Sequence, residues 1–514
     1  MPPRPRLLPL SAAFASAIAS LLALPAQGQT LNELYEAARG YDATYQGARA
    51  QYEANVARAA QAKAGILPAV GLTAGVTRTD LEIDTLTGTS RGTTPRDFNT
   101  QNVGINATQP LYRPANWATY EQGKRQADIA QAVLTIAEQD LIVRVSQAYF
   151  DVLASTDSLA LVRAQKVAVA EQLASAKRNF EVGTSTITDS REAQARYDLV
   201  IAQEIAAEND LQVKKIVLDQ LVGRPGSVPV PLAVPVVLPT AMPADINAWV
   251  AQANDVHPAI RQARLGLDVA GLEVQKAQAG HKPTLDANLG YNVTRNPTGT
   301  STSAVGTRVN ATTVGVTFNL PLFAGFATEN RIKETLALED QSRSVLDGTQ
   351  RSVAQATRAA YLGLVSGAGQ VKALEAAEAS SQSALDANKL GYQVGVRINI
   401  DVLNSQSQLF QTKRDLAQAR YNVLLGNLKL RQANGTLTTD DMNAINATLA
   451  SNGSVPAVPA AITSTPDRAP APYVPVTPPS IPVIPPVPVQ PFNPPAPVMP
   501  SAPVPPVILN PPVR

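Results

Sequence analysis

No cysteine occurs in the 514 residues. An exported chain without cysteine has no disulfides and no N-terminal acylated cysteine, so any hold on a membrane must come from the polypeptide itself. Aromatic residues make up only 5%, thin material for large globular cores in a chain long enough for several domains. The net charge of +2 gives no reason to expect a nucleic-acid partner. The only histidines, His257 and His281, stand beside a proline and a lysine in helix-end contexts, where solvent-facing structural roles are expected rather than metal ligation. No Gly-x-Ser-x-Gly elbow, phosphate-cradling glycine loop or paired-carboxylate constellation is present, so the sequence supports no enzyme chemistry and requires no cofactor or metal. After the N-terminus no run approaches ~18 consecutive apolar residues, so no membrane-spanning helix is expected.

The N-terminus has the form of an export signal. Arg4 and Arg6 precede an apolar run from Leu7 to Leu24, and Ala26-Gln27-Gly28 places small residues at a cleavage site after Gly28 or Ala26. A transmembrane anchor fits poorly, because the run holds small polar residues and lacks a charged stop-transfer flank.

What dominates the rest is a duplication about 211–215 residues apart. Residues 31–68 align without a gap on 246–283, pairing Ala48-Arg49 with Ala263-Arg264, Gly65 with Gly280 and Pro68 with Pro283. Gln109-Pro110-Leu111-Tyr112 then falls on Leu320-Pro321-Leu322-Phe323, and Ala148-Tyr149-Phe150 on Ala360-Tyr361-Leu362. Phe180 through Gly183 falls on Tyr392 through Gly395, Asp189 on Asp401 and Gln194 on Gln406. Each half is therefore one structural unit. The expected organisation is a signal peptide at 1–28, a first repeat at 29–223, a proline-rich link at 224–243, a second repeat at 244–440 and a proline-rich, disordered tail at 451–514.

Within each half the apolar period changes from helix to strand and back. Residues 30–65 read as a helix. Leu72, Ala74 and Val76 then alternate with small polar residues, as do Val103, Ile105 and Ala107, across a Thr/Gly/Asp-rich connection at about 84–100. In the second half Leu285 through Val293 and Val314 through Leu320 alternate in the same way, giving two hairpins with strands of ~10 residues. From about 115 to 182 no proline interrupts, and Ile129, Ile136, Val143 and Phe150 recur every seventh residue, as in a supercoiled seam. This helix and its counterpart at about 326–394 are each roughly 100 Å long. Val182-Gly183 and Val394-Gly395 end them with a glycine suited to a left-handed cap, and shorter helices of ~40 residues return to Gly223 and Gly435.

Strands of ~10 residues with one apolar and one small polar face suit a tilted bilayer crossing. Four of them cannot close a barrel, and an open edge in lipid leaves backbone groups unpaired at several kcal/mol each. Copies must combine, and three would give twelve strands. The expectation is an α+β membrane protein: a trimeric twelve-stranded barrel, four strands per chain, continued by a long α-helical coiled-coil tunnel. The competing reading is a trimeric barrel-anchored structural or adhesive surface protein. Hairpins interleaved with helices in both halves speak against that reading.

The duplicated plan, the Gln109–Tyr112 and Leu320–Phe323 junctions, and the segments Val182–Asp189 and Val394–Asp401 together resemble the TolC-like outer-membrane efflux and secretion channels over roughly residues 30–440. The resemblance implies an outer-membrane homotrimer with a helical tunnel in the periplasm. It implies docking on a periplasmic adaptor (membrane fusion) protein and on an inner-membrane transporter of RND, ABC or MFS type, and passive export of small molecules or proteins. It also implies a periplasmic gate in which Arg397 bonds toward Thr188, Tyr392 toward Asp189, and Asp401 forms an acidic ring, with adaptor docking at Val182, Gly183, Val394 and Gly395. The family's second acidic ring position is Asn404 here, which halves the ring charge. Arg397, Asp401 and Asn404 are spaced i, i+4 and i+7, as on one helix face.

Overall fold

The computed structural model describes residues 28–449 apart from 86–91, 234, 235 and 237. Residues 1–27 of the export signal and the proline-rich tail at 451–514 lie outside the described residues.

Each half runs helix pair, hairpin, long helix, return helix. In the first half these are α1 (Leu31–Tyr41), α2 (Ala43–Lys63), β1 (Ala69–Thr85), β2 (Gly92–Tyr112), α3 (Pro114–Glu181) and α4 (Ile187–Val222). In the second they are α5 (Ile246–Val256), α6 (Pro258–Gln278), β3 (Thr284–Asn296), β4 (Thr307–Asn319), α7 (Ala327–Gln393) and α8 (Asn399–Asn434), followed by a short α9 (Thr439–Asn446) that the sequence pattern did not announce. The long helices fall within a residue or two of expectation. The helix expected over 30–65 is instead broken at Asp42, whose backbone leaves the helical region while its side chain accepts from the Tyr45 amide to cap α2. The second half breaks at the equivalent His257. Pro258 disfavours helical geometry before it, and the His257 Nδ1 accepts from the Ala259 amide at 3.1 Å. His257 is half-buried, not solvent-facing, and burial holds its pKa below the ordinary value.

The four strands form one antiparallel sheet in the order β1-β2-β3-β4. The connection expected at 84–100 is mostly ladder: Asp84 pairs with Thr93 and Glu82 with Pro95. Spacing did not mark it as strand because the apolar alternation of β2 stops near Gln101 and mostly polar residues lie beyond it on both faces. Pro95 is tolerated because β3 ends opposite Gln101, leaving that side of β2 unpaired.

Register assigns each face. Val70, Ala107, Leu289 and Val314 share a row on one side, and Leu72, Ile105, Tyr291 and Thr312 share the next. On the other side Thr73, Gly104, Asn292 and Ala311 form a row, as do Gly75, Asn102 and Thr294. The glycines there make room for the amides: a Cβ on Gly104 would stand 1.7 Å from the Asn292 Oδ1, and one on Gly75 2.6 Å from the Asn102 Oδ1. Across these rows the surface is thin, polar and uncharged.

Where the sheet meets the helices, Arg113 at the head of α3 forks onto Asp286 of β3 (Nε to Oδ1 2.7 Å, Nη2 to Oδ2 2.5 Å), tying one repeat to the other. About halfway down α3 lies the largest core, with Tyr149, Phe150, Leu141, Leu424 and Leu428 buried. Tyr149 donates to the Val230 carbonyl at 2.8 Å, and its repeat mate Tyr361 donates to the Ala244 carbonyl at 2.5 Å. The first bond fastens the 224–243 segment and the second holds Ala244, the residue just after it. The 224–243 segment is thus a packed strap and not only a link: Pro229 bridges Gln29, Leu232 bridges Leu449, and Val230 is buried.

Candidate functional site

The hairpins stand at one end of the long helices, and the turns from α3 to α4 and from α7 to α8 stand at the other. The two turns share a backbone. Gly183 (φ 78°) and Gly395 (φ 77°) occupy the left-handed region that a side chain would strain. After Gly183, the amides of Thr184 and Ser185 return to the Asn179 carbonyl; after Gly395, those of Val396 and Arg397 return to the Gly391 carbonyl. Val182, Val394 and Val396 are exposed large apolar residues at this end.

The caps that follow differ. Thr186 and Asp189 make a reciprocal capping box at the start of α4, and Ser185 also donates to the Asp189 carboxylate at 2.6 Å. Burial works against ionisation of Asp189, but the bonds from Ser185 and Thr186 outweigh it and hold the carboxyl below its ordinary pKa. In α8 the N-cap is Ile398, which has no side-chain oxygen to offer. Asp401, the repeat mate of Asp189, is therefore free of capping and pairs with Arg397 at 3.7 Å.

The expected site residues thus gather at one end of the chain, with particular partners. Tyr392 is half-buried against Leu385, Val402 and Leu409, and its hydroxyl accepts from the Asn179 amide at 3.2 Å. Within this chain Asp189 is engaged by its own cap, and Tyr392 is not among its partners. Thr188 is exposed in the first turn of α4. The helix face expected for Arg397, Asp401 and Asn404 begins late, because α8 starts at Asn399; Arg397 reaches Asp401 from the turn. Asn404 accepts from Arg196 of α4 at 2.8 Å, across the two repeats.

Asn399 is the residue that sequence reasoning missed. It is fully buried, donates to the Asp189 carbonyl at 3.2 Å and accepts from Gln172 of α3. Its repeat mate is Ile187, exposed at 48%. A polar residue facing an apolar one across the duplication was the available signal. With Leu403, buried against Val162, Val169 and Val200, Asn399 docks the second tip on the first.

The family model described as Outer membrane efflux protein matches residues 34–224 and 249–436. Outer membrane protein TolC of Vibrio cholerae is 32% identical over 446 residues, covering 86% of this chain and 98% of that one. Proteases secretion protein PrtF of Dickeya chrysanthemi is 29% identical over 440 residues, covering 85% and 94%. Among solved structures, the outer membrane protein VceC of Vibrio cholerae shares the fold with a TM-score of 0.66 at 19% identity, over 79% of this chain and 96% of that one.

Proposed function

We propose how this chain, which belongs to the outer membrane efflux protein family, works as an outer-membrane channel for efflux or type I secretion. One observation carries the reading. The sheet ends in two open edges, β1 and β4, and its faces are chemically opposite: an aliphatic and aromatic face, and one of Gly, Asn and Thr. In lipid, open edges leave unpaired backbone groups. Three copies joined β4 to β1 close twelve strands with the apolar face outward and the polar face on a wet lumen. The helices continue the duct into the periplasm. At ~1.5 Å per residue, α3 and α7 reach roughly 100 Å from the membrane, which places the tip turns where an inner-membrane transporter and its adaptor can meet them.

The tip is the gate in this reading. Arg397, Asp401, Tyr392 and Asn404, with Asp189 and Thr188 beside them, make the polar contacts that hold neighbouring helices together. Val182, Gly183, Val394 and Gly395 present the surface that an adaptor grips. A partner opens the gate only by binding the open arrangement more tightly than the closed one. The carboxylate on the lumen face where the four strands pair, Asp286, is already held by Arg113, which leaves little to select cargo chemically, so selection falls to the transporter.

The full chain purified in detergent, cross-linked and weighed by light scattering, should be a trimer, and in a planar bilayer it should conduct ions. A monodisperse monomer with its whole strand content would overturn the closed barrel.

A further inference from the structure

Two like-charged pairs stand directly opposite each other on the outward face of the sheet, and only one is compensated. On the first hairpin Asp80 faces Asp97, and Arg78 reaches both, at 3.4 and 3.5 Å. On the second hairpin Arg295 faces Arg308. Both are exposed, and among the described residues neither takes part in an ion pair. The 86–91 segment (LTGTSR) carries no carboxylate either. Opposed like charges destabilise a strand pair, so the second pair lacks the counter-charge that Arg78 gives the first.

The position of the pair identifies that charge. Arg295 shares its face with Leu289, Tyr291 and Val293, and Arg308 with Val314, Val316 and Phe318. This is the apolar face. From Leu285 to Arg295 the strand climbs about 25 Å, at roughly 3.3 Å per residue and a tilt of ~40°, which is the height of a barrel's apolar band. The pair therefore emerges at head-group level on the side away from the helices. Gln101, in the same row on β2, adds an amide. Opposed side chains begin ~5 Å apart, so two planar guanidinium forks can converge on one tetrahedral anion.

We propose that Arg295 and Arg308 form a docking site on the lipid-facing wall for the phosphate of an anionic lipid in the outer leaflet. The inference rests on the channel reading, which lays this face against lipid. A bound head group would neutralise the opposed arginines and fix the height of the barrel in the bilayer.

The test uses the full chain and R295Q/R308Q, with R78Q as a control whose charge is already paired within the hairpin. Each protein is reconstituted into vesicles of mixed phosphatidylglycerol and phosphatidylcholine, re-extracted, and its retained lipid weighed by native mass spectrometry. The wild type and R78Q should retain about tenfold more phosphatidylglycerol than the double variant, with phosphatidylcholine unchanged, and millimolar inorganic phosphate should not displace it. Equal retention by the double variant overturns the site. Displacement by inorganic phosphate overturns the lipid as its source. Loss of the oligomer with unchanged lipid per assembled protein overturns it too, and assigns the arginines to Asp80 of a second copy. If the wild type itself does not insert, the channel reading falls with the site; insertion with equal retention removes the site alone.

Discussion

The two tips of the molecule are one backbone with two chemistries. Both long helices end in valine and a left-handed glycine, and both return helices begin four residues after that glycine. At the first tip Thr186 caps α4 and Asp189 answers it, so the carboxylate is consumed by its own helix. At the second tip Ile398 stands where Thr186 would be, and Asp401 is left to meet Arg397. The substitution of one capping side chain turns a structural acid into an available one. Duplication supplied a carboxylate at both positions, and the cap decided which of them faces other groups. The second tip is then docked on the first by Asn399, whose repeat mate is an exposed isoleucine. The first tip is thus self-sufficient, and the second depends on its neighbour.

The largest effect should come from breaking that dependence. Asn399→Leu removes the bonds that the fully buried Asn399 makes to the Gln172 side chain and the Asp189 carbonyl, a loss of about 2 kcal/mol. Amide hydrogen exchange over residues 394–403 should accelerate, while residues 182–190 stay protected. Equal acceleration at both tips would show that they depend on each other equally and would remove the asymmetry.

Next in size is the cap itself. Thr186→Val removes one half of the box, at about 1 kcal/mol, and should loosen the first turn of α4 while leaving that of α8 untouched. Acid should act in the same direction. The bonds from Ser185 and Thr186 hold Asp189 below its ordinary pKa despite burial, so its ionised form favours the folded tip. That contribution is complete above the ordinary aspartate range and is lost as pH falls through the depressed value. Protection of residues 187–190, corrected for intrinsic exchange, should fall with acid in the wild type and be flat in Asp189→Asn, which has no carboxylate to titrate. A wild-type profile as flat as the variant's would mean that Asp189 does not hold the cap.

Much of this was legible before any coordinates, for a physical reason. Long amphipathic helices, left-handed glycines and two-residue alternation each leave a periodic mark, so α3, α7, both tip turns and the sheet faces could be read from spacing. The break at Asp42 could not, because one residue leaving the helical region disturbs no period; only the proline after His257 hinted at its twin. The upper part of the first hairpin was hidden because the apolar alternation of β2 stops near Gln101. The strap at 227–232 looked like linker because proline composition carries no record of what the chain packs against. At the tip, spacing placed Arg397 near Asp401, but the partners Asn179, Arg196 and Asn399 come from other helices, and no local pattern reports them.

An effect of similar size, spread over two weak links, should follow from loosening the second tip's own contacts. Arg397 and Asp401 are both substantially exposed, and an ion pair of that kind is worth ~0–1 kcal/mol. The bond from Asn179 to Tyr392 adds about 1 kcal/mol. Arg397→Ser with Tyr392→Phe should therefore shift a closed population toward open by roughly tenfold, read as raised single-channel conductance in a planar bilayer. Conductance equal to the wild type would place the gate elsewhere.

The least effect is expected from Asp401→Ala, and its smallness is informative. If the cap difference frees Asp401, three copies bring three carboxylates together at the tip, a site for divalent cations entering from the periplasmic side. Each carboxylate already lies 3.7 Å from its own Arg397, and one helical turn further on stands Asn404, which carries no charge and is engaged by Arg196. The attraction left for a cation is partial, and salt weakens it further within a Debye length of ~8–10 Å. Asp401→Ala should thus weaken block by a divalent cation only a few-fold, and Asp189→Ala, whose carboxylate is held by its cap, should leave block unchanged. Restoring the missing charge with Asn404→Asp should strengthen block well beyond the wild type. The comparison fails if Asp189→Ala relieves block as much as Asp401→Ala does, for the two carboxylates would then be equally available and the cap would not have separated them.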